Sequence, residues 1–265
     1  MTERQKDVMV FHYDPKRRFY LVTLQLKNVP GALGNLTNIM GIRGINIMEG
    51  FFAPFASGDY GTFSFFVEST KTRMDKDWLK EFLQSCIYVS EVVVKEGVEG
   101  FLTDSLNFPT VWNTGDRAIV MRVGNVQVML DAIREAGGAN GEKIVYEAGF
   151  QSGKSSWENV FSIFRPKTKE GLSEILQLYS AVGWGRIELL DLSMNKKSAK
   201  IRMTDLFECA GLTYERGCSH YVRGHLAGAM STFFGIDLKG VETKCLAKGD
   251  KYCEFELSPQ NPLGI

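Results

Sequence analysis

No run of apolar residues reaches the length of about 18 that a membrane-spanning helix requires. Charge of neither sign prevails, since Lys plus Arg and Asp plus Glu each number 31 in the 265 residues. A balanced chain has no net field to recruit nucleic acid or an anionic membrane. The local cluster Lys16-Arg17-Arg18 reads as a solvated lead-in to a strand. Cysteine is sparse and odd in number, five, which argues against a secreted disulfide scaffold in a chain of this size. Phosphate-binding glycine fingerprints in strand–turn–helix context, iron–sulfur cysteine sets and a basic-faced helix-turn-helix are all missing. The N-terminus, Met-Thr-Glu-Arg-Gln-Lys-Asp, is charged and carries no apolar signal core. These absences lead to the expectation of a cytoplasmic protein without membrane or direct nucleic-acid contacts. It is long enough for one large or two ordinary domains.

What is present concentrates near the C-terminal end. Cys218 is followed by Glu242, Cys245 and Cys253, and three thiols with one carboxylate at such spacings suit a closed tetrahedral zinc site. Residues 236–246 and 252–257 read as two strands joined by Lys248-Gly249-Asp250-Lys251. With Gly249 at the tip, Cys245 and Cys253 oppose each other. Cys218 opens an apolar-periodic stretch with Tyr221, Val222, Leu226, Met230, Phe233 and Phe234. It is therefore expected at a helix N-terminus, where the dipole favours a thiolate. Strict strand alternation puts Glu242 and Cys245 on opposite faces, so Glu242 joins the site only through a bulge or bend near Thr243-Lys244. Spacing alone leaves three readings open: zinc, a Cys245–Cys253 disulfide, or thiols packed as small apolar residues.

Nucleophilic catalysis finds little support. Cys218 and His220 are two apart, about 200° round a helix, and His220 and His225 do not share a face either. Ser219-His220 has no orienting acid at a known position. Gly149-x-x-x-Gly153 and Gly224-x-x-x-Gly228 read as faces for close helix packing.

The first hundred residues follow a β-α-β-β-α-β rhythm, with strands at 19–26, 46–52, 61–68 and 89–95. Helices open at Asn28-Val29-Pro30-Gly31 and at Asp75, and Gly41 and Gly44 end the first of them. This is a ferredoxin-like α+β pattern. The motif Asn28-x-Pro30-Gly31-x-Leu33, followed by Gly44-Ile45-Asn46-Ile47, resembles the ACT domain over about residues 17–95. That regulatory module pairs side by side and binds amino acids at its first β-α turn. The resemblance implies ligand roles for Asn28, Pro30, Gly31 and Asn46, and a homodimer. Asn28 departs from the aspartate often found there. Gly31 lets backbone approach a ligand and the helix start offers N–H groups to a carboxylate. Pro30 and Gly31 also suffice simply to make the turn. Residues 97–116, rich in Gly, Asn and Thr with Pro109, read as a linker.

Residues 117–265 read as a second α+β domain. A strand is expected at 117–123, helices at 126–136, 144–164 and 172–182, and paired strands at 187–192 and 199–204. Four motifs within it resemble the vinyl-reductase-type domain, the family of 4-vinyl reductase, over about residues 115–258. They are Tyr146-Glu-Ala-Gly149-x-x-x-Gly153, Gly183-Trp184-Gly185, Gly217-Cys218 leading to Gly224 and Gly228, and Glu242-x-x-Cys245 leading through Gly249-Asp250 to Cys253-x-Phe255. Carried over, the resemblance implies a structural Zn2+ on Cys218, Glu242, Cys245 and Cys253, leaving Cys86 and Cys209 as core thiols. It also implies a pocket for an apolar or aromatic molecule, lined by Tyr146, Phe150, Trp184, His220 and Tyr221. Sensor members of the family carry a ligand-contacting histidine well before the metal motif, and this chain has none between Tyr13 and Ser219.

The combined expectation is a non-enzymatic, homodimeric small-molecule sensor, with 1–96 as an ACT regulatory domain and 117–265 as a zinc-stabilised ligand domain. Two rivals stay open. One is a reductase or accessory factor acting on a tetrapyrrole vinyl group; the other is an assembly scaffold, since the second architecture also resembles vesicle-tethering subunits.

Overall fold

The computed structural model describes residues 6–54, 58–69, 74–112 and 115–260. The chain divides into two compact units, Met1–Ile119 and Val120–Ile265, each mixed α/β with antiparallel sheets. The first unit opens with β1 (Phe11–Tyr13) and β2 (Phe19–Lys27), then α1 (Ala32–Ile42), β3 (Asn46–Pro54), β4 (Tyr60–Glu68), α2 (Lys76–Gln84), β5 (Val89–Glu96) and β6 (Phe101–Thr103). Alternation along β2 sends Tyr20, Val22, Leu24 and Leu26 into one core cluster and Phe19 and Leu21 into another. Such a strand, apolar on both faces, belongs inside a sheet, and the four-stranded order is β3-β4-β2-β5. Helices α1 and α2 cover the first face with Ala32, Leu36, Met40, Leu79 and Leu83. The Asp75 carboxylate caps α2 by accepting the Trp78 N–H at 2.8 Å.

Two details of this unit differ from the sequence reading. Gly41 lies inside α1, and the chain turns instead at Gly44, whose φ of 72° suits glycine. The segment read as a linker is partly structured. Its β6 pairs antiparallel with β1, and Leu102 packs with Phe19, Leu21 and Phe66 on the second face of the sheet. That face is apolar, so covering it removes hydrocarbon from water and outweighs the turn-forming composition around Leu102. Asn113 and Thr114 of the same segment lie outside the described residues.

The second unit contains α3 (Val123–Ala136), α4 (Gly141–Ile163), α5 (Lys169–Leu176), α6 (Leu178–Ala181), β7 (Arg186–Ser193), β8 (Ser198–Thr204), α7 (His220–Phe234), β9 (Leu238–Lys244) and β10 (Cys253–Pro259). Its sheet runs β7-β8-β10-β9. No strand forms at 117–123. Arg117 makes only an isolated bridge to Val111, and α3 begins at Val123. The helix expected at 172–182 is interrupted at Gln177, between α5 and α6. Helix α7 is apolar on nearly every side, as a helix enclosed by protein must be, and stops at Gly235 with φ 69°.

Helices α4 and α7 touch backbone to backbone. A Cβ on Gly149 would stand 2.1 Å from the Tyr221 carbonyl oxygen, and one on Gly153 2.2 Å from that of His225. The contact is reciprocal: Gly224 would meet the Tyr146 oxygen at 2.1 Å and Gly228 that of Phe150 at 2.1 Å. The paired glycine faces read from the sequence meet here. They fix the start of α7, and with it the chain leading in from β8.

Candidate functional site

The β8–α7 connection, the start of α7 and the β9–β10 hairpin converge on a buried group of donors. β10 pairs Glu254 with Lys244 but Phe255 with Glu242, so Thr243 is the extra residue of a bulge. The bend restores Glu242 to the side of Cys245 that strict alternation denies it. At the hairpin tip Gly249 takes φ 102°, and the Lys248 and Asp250 N–H groups donate to the Cys245 carbonyl at 3.0 and 3.2 Å. The Cys245 N–H donates to Asp250 Oδ2 at 2.9 Å, and the Leu246 N–H to Cys253 Sγ at 3.2 Å.

Ligand atoms of Cys209, Glu242, Cys245 and Cys253 all lie within 4.8 Å of one another. Cys209 Sγ stands 3.7 Å from Cys245 Sγ, 3.6 Å from Cys253 Sγ and 3.3 Å from Cys218 Sγ. The compact group contains Cys209, expected as a core thiol, and Cys218, the ligand that the resemblance implies, adjoins it with its sulfur 3.3 Å from that of Cys209. Cys209 lies on an irregular connection outside every spacing motif, so nothing periodic pointed to it. All five cysteines are free thiols, and Cys245 and Cys253 are not joined. Cys86 is buried in the other unit, donating to the Phe82 carbonyl at 3.4 Å.

The thiols share protons: those of Cys209, Cys218 and Cys253 hold Cys245 far below the ordinary thiol range, and are themselves raised above it. Burial pushes the Glu242 carboxyl up to about 8, against the Ser219 hydroxyl that donates to it at 2.6 Å. A divalent ion reverses such a shift, because its charge replaces the shared protons. Bonds of about 2.3 Å to zinc give tetrahedral sulfur–sulfur edges of about 3.8 Å, close to the separations of Cys209 from Cys245 and Cys253. The donor set fits zinc. Beside it, Glu208 accepts the Tyr221 and Val222 N–H groups at 3.0 and 2.8 Å and pairs with Arg134, which also donates to the Cys218 carbonyl at 2.9 Å. Burial pushes Glu208 up to about 7 against these partners. A carboxylate at the first N–H groups of α7 anchors the helix beside the thiols.

Of the residues expected to line one pocket, Phe150 belongs to the core of the second unit and Tyr146, Trp184 and Tyr221 pack against it. Trp184 and Tyr221 are in ring contact, centroids 5.8 Å apart. Tyr146 stacks on Phe150 and borders an open surface groove of about 390 Å3 with Glu142, Lys143, Arg223, Lys239, Gly240 and Gln260. His220 faces Glu142 at 3.4 Å, and its Nδ1 finds no partner among the described residues. Sequence reasoning missed Tyr179 and weighed His225 only as a partner of His220. Tyr179 and His225 hydrogen-bond at 2.8 Å, Oη to Nδ1, inside a ring of Trp157, Trp184 and Tyr221. Nothing in their spacing set them apart from the other residues of α6 and α7. The turn residues Asn28, Pro30, Gly31 and Asn46 are all exposed, and Gly31, φ 87°, precedes α1 with no side-chain cap on the helix.

Residues 199–259 match the family model described as V4R domain, a stretch that holds all five candidate metal donors. The uncharacterized protein MJ1642 of Methanocaldococcus jannaschii is 30% identical over 89 residues, 33% of this chain and 53% of that relative. The chain thus spans about half the length of this curated relative. The phenol-responsive sensory domain of the transcription activator PoxR is similar in structure, with a TM-score of 0.47 and 18% identity over 56% of this chain and 79% of that one. A vinyl-4-reductase family protein from Methanocaldococcus jannaschii gives 0.37 and 20%, covering 54% and 85%. A trafficking protein particle complex subunit 3 from Naegleria fowleri gives 0.39 and 12%, covering 52% and 91%. Among the described residues no helix is long and apolar enough to cross a membrane.

Proposed function

We propose that this chain is a non-enzymatic small-molecule sensor whose C-terminal unit holds a structural Zn2+ and receives a small apolar or aromatic molecule. The buried Tyr179–His225 pair, enclosed by Trp157, Trp184 and Tyr221, carries this reading. Aromatic walls with one or two polar tips are what recognition of a small aromatic requires. The match of residues 199–259 to the V4R domain agrees with it. The zinc would be held by Glu242, Cys245, Cys253 and a thiolate from the adjoining pair Cys209 and Cys218, the resemblance implying Cys218. A closed set of four leaves no position for water or substrate, so the ion would stabilise the fold rather than react.

In the first unit the reading is an ACT-type, ferredoxin-like module that binds an amino acid at Asn28, Pro30, Gly31 and Asn46 or pairs two chains side by side. Supporting it are the strand order β3-β4-β2-β5 and the uncapped start of α1 behind Gly31. Native mass spectrometry and tryptophan fluorescence on the full chain test the C-terminal reading. One zinc per chain is expected, with a saturable fluorescence change on adding phenol or indole that His225→Gln weakens at least tenfold. Zinc-free protein with only a linear response to both probes overturns it.

A further inference from the structure

The groove beside Tyr146, lined by α4, α7 and β9, carries an excess of positive charge, and we infer that it receives a phosphate monoester. Its charged lining is Lys143 from α4, Arg223 from α7, Lys239 from β9 and a single carboxylate, Glu142. Three cations against one anion leave two positive charges, the complement of a phosphate dianion. Glu142 is turned to other partners, facing Arg216 at 3.3 Å and His220 at 3.4 Å. Among the described residues Lys143, Arg223 and Lys239 form no ion pair of their own. Lys143 stands in the first turn of α4, whose start carries no side-chain cap and adds partial positive charge at the same end of the groove.

Arg223 is the most firmly held of the three cations. Its guanidinium carbon lies 5.1 Å from the centroid of the Tyr146 ring. Tyr146 is itself fixed, its Oη accepting the Gly240 N–H at 3.1 Å. A Cβ at Gly240 would stand 2.9 Å from Arg223 Cγ, so the glycine is what lets the arginine stem lie along β9. A guanidinium stacked on a ring keeps its N–H edges for an oxyanion, which it grips with two parallel hydrogen bonds. The Arg223 Nε is buried and has no acceptor among the described residues. Buried donors are normally paired, and a phosphate oxygen would supply the missing acceptor. The groove's volume, about 390 Å3, falls in the range of about 300–1,000 Å3 typical of small-molecule sites, so there is room for an organic body beyond the phosphate. Neither Tyr179 nor His225 lines it, and the inference is independent of the zinc and aromatic readings above.

Calorimetry and phosphorus NMR on the full-length protein test the site, with glycerol 3-phosphate as the probe. Saturable binding with a Kd below about 1 mM is expected. Arg223→Gln should weaken it by about tenfold or more, and Lys143→Gln and Lys239→Gln by about threefold each. Lys196→Gln, exposed at the β7–β8 turn, should bind as wild type does. Methyl sulfate, an ester of similar shape with one charge, should bind about tenfold more weakly than the phosphate ester. Should Arg223→Gln fail to fold, the two exposed lysine variants decide the matter. Sedimentation with vesicles containing phosphatidic acid separates the sources of the phosphate. Binding of the free ester assigns a soluble small molecule, whereas binding of the vesicles alone, reduced in the lysine variants, assigns a lipid headgroup to the same site. Failure of both probes to bind, or affinity that Lys143→Gln, Lys239→Gln and Arg223→Gln all leave unchanged, overturns the inference.

Discussion

His225 shows how one side chain can carry a pH dependence for its unit. Burial holds its imidazole at about 4, against an ordinary 6.5. Between those values the unfolded chain binds a proton that the folded one excludes, so stability rises with pH across the window. The contribution is present above about 6.5 and lost as pH falls toward 4, on the order of 3 kcal/mol for a shift of this size. Glu208 acts with the opposite sign. Its carboxyl, raised to about 7 from 4.5, favours the folded state below 4.5 and loses that advantage as pH rises through 7. The histidine signal is therefore read as a difference between proteins. The urea midpoint of the second unit should fall less on going from pH 7 to pH 5 in His225→Gln than in wild type, and equal falls would refute the assignment. Neither His225 nor Cys209 was legible in the sequence. Each draws its meaning from a partner that only the tertiary fold supplies, Tyr179 on α6 for one and the β9–β10 thiols for the other.

At the scale of elements, the crossing of α4 and α7 is the least forgiving contact. An added methyl at Gly149 or Gly224 meets backbone oxygen at 2.1 Å, and backbone has nowhere to yield. Alanine normally gains about 1 kcal/mol over glycine inside a helix, so Gly124→Ala on α3, with nothing within 4 Å, should stabilise slightly. Gly149→Ala and Gly224→Ala should each destabilise by about 3 kcal/mol or more through overpacking, measured by chemical denaturation. Stability equal to wild type in either would show that the helices can part without cost. This crossing was legible because two glycine pairs at one-turn spacing, on helices otherwise well populated with apolar residues, need a close neighbour. The bulge at Thr243 was legible for a similar reason, since Glu242 and Cys245 share a side only if alternation is broken there. Pairing of β1 with β6 was not. Three-residue strands joined across the whole first sheet leave no local pattern, and the Gly and Asn around β6 favour loops.

At the scale of the whole molecule, each unit buries a core of its own, so the two can lose structure separately. Zinc contributes on the order of 10 kcal/mol to the folded state of small zinc-binding peptides, while an entire domain is stable by only about 5–15 kcal/mol. An ion held between the β8–α7 connection and the β9–β10 hairpin would thus supply much of the second unit's stability and none of the first's. Excess chelator is expected to collapse amide-exchange protection in β8, β10 and α7 while β2 and β4 keep theirs. Thermal unfolding should then show an early transition belonging to residues 120–260 and a later one at its original temperature. A ligand among Trp184, Tyr179 and His225 would act on the same unit, adding RT ln(1 + [L]/Kd) to its stability. An aromatic probe should therefore restore part of what chelation removes and leave the transition of the first unit where it was. Protection that falls equally in both units would instead mean that they unfold as one body, and unchanged protection in both would leave the second unit independent of metal.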